Sequence, residues 1–255
     1  MNFTQEIPLL SVIIPVYNEA ATVARLVDRV LAVPCPKQLI LVDDGSTDGS
    51  AAILKTWADH PDVILLRHSH NRGKGAAIRT GLAHARGRFT LVQDADLEFD
   101  PCDYPRLLGP LLQGQADIVY GSRYLRPLPG RRSCGRLFRY GVALLNLAVR
   151  LLYGVRLTDE ATCYKVFPTD VLRAMDLQCE RFEFCPEVTA KACRIGSIIA
   201  EVPIRYTPRT AAEGKKIRWT DGWEALRTLW KWRHWQPATA TRPVREEEAR
   251  CVHAF

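Results

Sequence analysis

The chain alternates short apolar runs with stretches of helical spacing. Leu9–Val16 (LLSVIIPV) is apolar, β-branched and closed by a turn, which predicts a buried strand. Ala20–Ala32 follows with apolar side chains at Val23, Leu26, Val27 and Val30, the spacing of a helix with one buried face. The pair of patterns then recurs. Strands are predicted over Gln38–Val42, Val63–Leu66, Phe89–Gln93 and Asp117–Tyr120, and helices over Ala51–Asp59, Ala76–Ala85 and Pro105–Leu112. Strand and helix in alternation, with short loops, imply an α/β fold: a mainly parallel sheet sandwiched by helices. Ligands of such sheets bind beyond the carboxyl ends of the strands. The polar clusters of the first half stand there: Tyr17-Asn18-Glu19, Asp43–Asp48, Asp94–Asp96 and Gly121-Ser122-Arg123.

The second half reads differently. A Pro/Gly/Arg-rich loop, Leu125–Gly135, leads into a long amphipathic stretch. Helices are predicted at Thr169–Met175 and Pro186–Arg194, and a strand at Ile198–Tyr206. A loop, Thr207–Lys216, precedes a Trp-rich basic helix, and from about Pro237 the chain has the composition of a disordered tail. No internal repeat is visible. At 255 residues, 47% hydrophobic and 25% charged, the chain suits one sizeable domain over 1–235.

Charge narrows the partners. The net +7 favours acidic ligands, and Arg123–Arg139 holds six arginines and no acid. The basic segments coincide with amphipathic helices, which disfavours nucleic acid. None of the eight cysteines forms a C-x-x-C pair, so they read as reduced, mostly buried thiols of a cytosolic protein. No signal peptide is recognisable, and no run approaches the ~18–20 apolar residues of a transmembrane helix.

The sharpest chemical signal is Asp94-Ala95-Asp96-Leu97-Glu98. In extended chain, residues two apart point the same way, so Asp94, Asp96 and Glu98 are expected to face one ion. Hard oxygen ligands suit Mg2+ or Mn2+, which would neutralise a departing diphosphate. Tyr17 is placed to stack on a base and Asp44 to accept from a base N–H. Both loops also serve as turns and helix caps. Asn71-Arg72-Gly73-Lys74-Gly75 lets backbone approach a ligand and offers Lys74 to a phosphate or base. It is neither a P-loop, since no Ser or Thr follows Lys74, nor G-x-G-x-x-G, which breaks at Ile78.

Taken in order, S-V-I-I-P-V-Y-N-E, V-D-D-G-S-T-D, N-x-G-K-G, D-A-D and G-S-R resemble the family 2 glycosyltransferases of the GT-A fold. Within that family the chain is most similar to the dolichol-phosphate mannosyltransferase-like, polyprenyl-phosphate branch, over about Ser11 to Trp232. The resemblance implies inverting transfer from a UDP- or GDP-sugar. It places the nucleotide-sugar half at 1–123 and the acceptor half at 124–235. It puts Pro15, Tyr17, Glu19 and Asp44 at the nucleoside and Lys74 near the base. Asp94, Ala95 and Asp96 would lie at the ribose and metal, with Glu98 as a further ligand. Ser122 and Arg123 would stand at the acceptor phosphate. Asp159 would sit near the reacting centre, as a base for a hydroxyl acceptor or as an orienter of Arg123. Arg209 and Lys216 would close over the diphosphate. A hydroxyl acceptor on a glycan, lipid or protein is the alternative. A sugar-nucleotidyltransferase is disfavoured because P-V-Y-N-E lacks the glycines of a phosphate loop.

Membrane contact is expected from two helices. On 136–153, Arg136, Arg139, Asn146, Arg150 and Tyr153 share one arc and leucines fill most of the rest. The arginines suit lipid phosphates and the leucines either acyl chains or the core. Trp219–Trp235 holds five tryptophans among Arg218, Arg227, Lys231 and Arg233. The expected location is the cytoplasmic face of a membrane, peripherally bound.

Overall fold

The computed structural model describes residues 7–125, 135–209 and 219–237. The apolar runs become strands of one sheet: β1 (Leu10–Val16), β2 (Lys37–Asp43), β3 (Val63–Arg67), β4 (Phe89–Val92), β5 (Ile118–Ser122), β6 (Lys165–Pro168) and β7 (Ile199–Pro203). Their order is β3-β2-β1-β4-β6-β5-β7. Val12 of β1 pairs with Leu39 of β2 on one side and Leu91 of β4 on the other, in parallel register. β3 is parallel to β2 and β7 to β5. Only β6 runs the other way, against β4 and β5.

The helices are α1 (Val23–Leu31), α2 (Ser50–Leu54), α3 (Lys74–His84), α4 (Tyr104–Leu112), α5 (Arg136–Tyr153), α6 (Thr169–Ala174), α7 (Phe184–Ile195) and α8 (Trp219–Lys231). They cover both faces, so a central strand is buried on both sides. Val12, Ile14 and Val16 join Leu26 and Val30 of α1 and Leu107 of α4 in one apolar layer. Ile13, one residue along, points into a second layer with Ile78 of α3, Phe167, Leu172 and Val188. This double burial is why β1 reads as a continuous apolar run rather than an alternation. A Cβ on Gly81 would lie 2.6 Å from the Ile13 side chain, so the glycine lets α3 sit close on β1.

Two expectations change. The helix predicted over Ala51–Asp59 is α2 followed by a 3-10 turn at Lys55–Trp57. The unpredicted β6 follows from its shortness: its four residues carry no period that separates strand from loop. Its direction matters. The carboxyl ends of the parallel strands lie on one edge, and β6, being antiparallel, brings its amino end and the preceding segment 158–164 to that edge.

α5 settles the choice left by its apolar arc, because the arc divides. Val142, Leu145 and Val149 are buried, the last two in the second apolar layer, whereas Tyr140, Leu144, Leu147 and Leu151 are exposed. On α8, Leu229 is buried and Trp223 and Trp230 are exposed. α8 is tied to α5 by the Tyr153 hydroxyl, which donates to the Leu229 carbonyl at 2.5 Å. No helix among the described residues is long and apolar enough to cross a membrane.

Candidate active site

The acidic loop leaves β4 at Val92 and turns at once. It is not extended, as the two-residue spacing implied: Leu97 takes a left-handed conformation with φ of 62°. The turn folds Glu98 back so that its N–H donates to Asp96 Oδ1 at 3.0 Å. The loop is braced from below. Gln93 Oε1 accepts from the Tyr104 hydroxyl at 2.8 Å and the Tyr164 hydroxyl at 2.5 Å, and Gln93 Nε2 donates to the Asp94 carbonyl.

The three acids have different surroundings. Asp94 forms an ion pair with Lys74 at the start of α3. Burial disfavours the Lys74 charge, but the Asp94 carboxylate prevails and raises the ammonium pKa well above its ordinary value. Glu98 is buried and engaged on both oxygens, by the Tyr206 hydroxyl at 2.7 Å and the Arg209 N–H at 2.6 Å. Asp96 lies between them. Burial, then the nearby Asp94 and Glu98 charges, push its carboxyl pKa up to about 7. Among the described residues no three Asp, Glu, His or Cys side chains converge to hold a metal by themselves. The donor set still fits a divalent ion: Asp96 is a carboxyl kept partly protonated for want of positive charge, and the ion's remaining positions would fall to ligand oxygens.

Other expected residues gather round this loop. The Arg209 guanidinium donates to both Glu19 oxygens, at 3.2 and 2.7 Å, and its Nε donates to the Asp96 carbonyl at 2.8 Å. Arg209 thus joins the end of β1 to the acidic loop. Pro15 is half-buried within β1, and Tyr17 beyond its end is 37% exposed. Asp44 is buried, and its carboxylate is occupied by the chain itself. It accepts from the N–H groups of Arg72 and Gly73 at 2.9 and 2.8 Å and contacts His68 Nδ1 at 2.7 Å. It therefore fixes the loop that presents Lys74. Gly73 has φ of 95° and packs against the Glu180 carbonyl, so only glycine suits this turn.

Arg123 and Asp159 form a second centre. Arg123 donates from Nε and Nη2 to the two Asp159 oxygens, each at 2.7 Å, and its backbone N–H adds a third bond at 2.8 Å. Both side chains are buried, and the rings of Phe99, Tyr124, Phe138 and Tyr206 surround the guanidinium at 5.0–5.9 Å. In this arrangement Arg123 faces Asp159 rather than an acceptor. Asp159 has both oxygens engaged by Arg123, the contact that the orienting role calls for. Ser122 Oγ contacts Thr158 Oγ1 at 2.6 Å, and Glu201 holds the Thr158 and Asp159 N–H groups. Arg139 is exposed on α5. The side chain of Arg136 and the whole of Lys216 lie outside the described residues.

Comparison with known proteins agrees with this architecture. The family model for glycosyl transferase family 2 matches residues 11–169. The chain belongs to that family. It is 32% identical over 222 residues to an undecaprenyl-phosphate 4-deoxy-4-formamido-L-arabinose transferase of Shewanella sediminis, covering 84% of this chain and 64% of that one. It is 30% identical over 205 residues to a dodecaprenyl-phosphate galacturonate synthase of Rhizobium johnstonii, covering 74% and 57%. The chain thus spans roughly 57–64% of the length of these curated relatives. Among solved structures, glucosyl-3-phosphoglycerate synthase of Mycobacterium tuberculosis with Mn2+, UDP and glucosyl-3-phosphoglycerate superposes with a TM-score of 0.67 at 21% identity, over 91% and 82% of the chains. TarS of S. aureus with UDP-GlcNAc gives 0.59 at 18% identity, over 88% and 66%. These likenesses place the fold among the GT-A glycosyltransferases.

Several residues of the site carry no sequence signal of their own. Gln93, Tyr104 and Tyr164 brace the acidic loop, His68 contacts Asp44, and Tyr206 holds Glu98. Cys163 accepts from Lys74 Nζ at 3.1 Å. Apart from Tyr104, which is eleven residues from Gln93, each lies far along the chain from its partner, and the fold brings them together.

Proposed function

We propose that the protein transfers a sugar from a nucleoside-diphosphate sugar to a polyprenyl phosphate at a membrane surface, aided by a divalent cation. The observation that carries the reading is Asp96: a half-buried carboxyl beside two further acids, flanked by Lys74 and Arg209, suits one metal ion and a diphosphate between those cations. Asp96 and Asp94 would hold Mg2+ or Mn2+, with Glu98 available once its present partners shift. The bound ion would supply charge neutralisation for the leaving diphosphate.

The chain's own residues do the rest. Tyr17 offers a ring to the base, and Asp44 sets the loop behind it. Lys74 and Arg209, now satisfied by Asp94 and Glu19, exchange those partners for phosphate oxygens as the donor enters. Arg209, bound to the diphosphate, then helps to exclude water, which would otherwise hydrolyse the donor. The acceptor oxygen attacks the anomeric carbon as the bond to the diphosphate breaks, which inverts the configuration. A phosphate monoester has its second pKa near 6, so at pH 7 it is largely dianionic and needs no base. That agrees with an Asp159 wholly engaged by Arg123. The acceptor class is supported by relatives named for prenyl phosphates. Exposed Tyr140, Leu144, Leu147 and Leu151 on α5 and Trp223 and Trp230 on α8 supply apolar contact for a bilayer interface.

The test is a panel of UDP- and GDP-sugars with Mn2+, with and without a short-chain polyprenyl phosphate. Lipid-dependent release of nucleoside diphosphate supports the reading. Release that needs a hydroxyl acceptor instead moves the protein to that class, and no release from any donor ends the proposal.

A further inference from the structure

Two thiols from separate elements meet behind the Lys74 ammonium. Cys163 lies just before β6 and accepts from Lys74 Nζ at 3.1 Å. Cys185, in the first turn of α7, donates to the Thr162 carbonyl at 3.3 Å, one residue from Cys163. Both thiols also stand close enough to the Lys74 ammonium to act on its charge. Both residues are half-buried and reduced. The two thiols differ: the neighbouring Cys185 and then burial raise Cys163 well above the ordinary thiol value, and burial likewise raises Cys35, Cys179 and Cys193. At Cys185 the neighbouring Cys163, with Lys165 and Lys74 nearby, outweighs burial and lowers the thiol to about 6.

We propose that Cys163 and Cys185 are a redox-responsive pair, oxidised reversibly to a disulfide by a peroxide, and that oxidation weakens donor binding through Lys74. The Cys185 thiolate attacks one peroxide oxygen, the O–O bond breaks, and hydroxide leaves and takes up a proton as water. This gives a sulfenic acid at Cys185. The Cys163 thiol, one residue from the carbonyl that Cys185 touches, attacks that sulfur, its proton joins the departing hydroxyl, and water leaves as the S–S bond forms. Two thiols and one hydrogen peroxide yield one disulfide and two waters. The change removes the thiol that accepts from Lys74, whose ammonium also pairs with Asp94. This consequence rests on Lys74 contacting the donor, as read above; formation of the disulfide does not. In a reducing compartment such a bond would be transient, as sensing disulfides are.

The test treats the whole protein at pH 7.5 with hydrogen peroxide, blocks remaining thiols with N-ethylmaleimide and maps peptides by mass spectrometry. The expected product is a Cys163–Cys185 linked peptide that dithiothreitol reverses and that neither Cys163→Ser nor Cys185→Ser gives. UDP and GDP are then titrated in Mn2+. Peroxide should weaken wild-type nucleotide binding severalfold, reversibly, and leave binding by Cys185→Ser and Cys185→Ala unchanged. Full alkylation of both cysteines while exposed Cys102 oxidises overturns the pair. A linked peptide with unaltered nucleotide affinity overturns its coupling to the donor side. The peptide is read without nucleotide, so its failure is distinct from failure of the donor reading.

Discussion

Replacing Glu160 by glutamine should stabilise the protein, and by an amount that depends on pH. Glu160 is wholly buried, and neither carboxylate oxygen has a well-formed hydrogen bond. Its nearest opposite charge is Lys165, whose Nζ instead donates to the Glu160 and Thr162 carbonyls, at 2.5 and 2.7 Å. Burial raises the carboxyl pKa from 4.5 to about 7, against the weaker pull of Lys165. A raised carboxyl means the folded state holds a proton that the unfolded state has released. Stability therefore falls as pH rises from about 4.5 to about 7 and then levels off. At ~1.4 kcal/mol per pH unit, the ionised side chain costs about 3 kcal/mol at pH 8 and about 1 kcal/mol at pH 5.

Glutamine has the shape of the protonated acid and no charge to desolvate. Glu160→Gln should therefore gain about 3 kcal/mol at pH 8 and about 1 kcal/mol at pH 5. For a chain of this size that is a rise in Tm of roughly 6–12 °C at pH 8 and 2–4 °C at pH 5. The assay is thermal melting followed by circular dichroism at both pH values, without divalent cations, whose binding would add stability of its own. Asp96 also titrates near 7, but it is common to both proteins and cancels in the difference. A variant that melts lower at pH 8, or gains equally at both pH values, would refute the reasoning.

Asp96 must lose its proton to hold a cation, so Mn2+ affinity measured by calorimetry should fall about tenfold from pH 8 to pH 6. Affinity constant over that range would remove Asp96 from the ligand set. Arg123→Met strands the buried Asp159 charge and should cost about 3–5 kcal/mol in urea unfolding, part of it recovered by adding Asp159→Leu. No recovery in the double variant would mean the pair is not the source of the loss. Leu147→Glu with Leu151→Glu alters only the outward stripe of α5 and should reduce co-sedimentation with anionic vesicles without lowering Tm. Unchanged sedimentation would assign the stripe to something other than lipid.

The parallel half of the sheet was legible because double burial writes itself into the sequence as continuous apolar runs. β1 and β2 fall within a residue of their expected limits, and the polar clusters after β1, β2, β4 and β5 stand on the expected edge. What escaped was short or distant. β6 has four residues and no period, yet it decides which segment faces the acidic loop. The extended-strand geometry expected of Asp94–Glu98 fails because Leu97 turns the chain, a conformation that a leucine gives no reason to expect. Nor could an arc of leucines on 136–153 say which of them meet the core, since packing against the sheet takes only part of a broad apolar face.

The antiparallel strand also explains why charged and polar groups crowd this edge. A wholly parallel sheet offers only the loops that follow its strands. Reversing β6 adds the residues that precede a strand, and these include Asp159, Glu160, Cys163 and Tyr164. Three of these meet a residue after a parallel strand or at a helix start: Asp159 meets Arg123 after β5, Tyr164 meets Gln93 after β4, and Cys163 meets Lys74 at the start of α3. The two centres are joined by Tyr206, whose hydroxyl holds Glu98 while its ring lies 5.0 Å from the Arg123 guanidinium. A shift at the acidic loop that releases Glu98 from Tyr206 therefore reaches the Arg123–Asp159 pair through one side chain. The acidic loop and the Arg123–Asp159 pair are physically connected by that ring, and Tyr206→Phe, which keeps the ring and removes the hydroxyl, is the substitution that separates them.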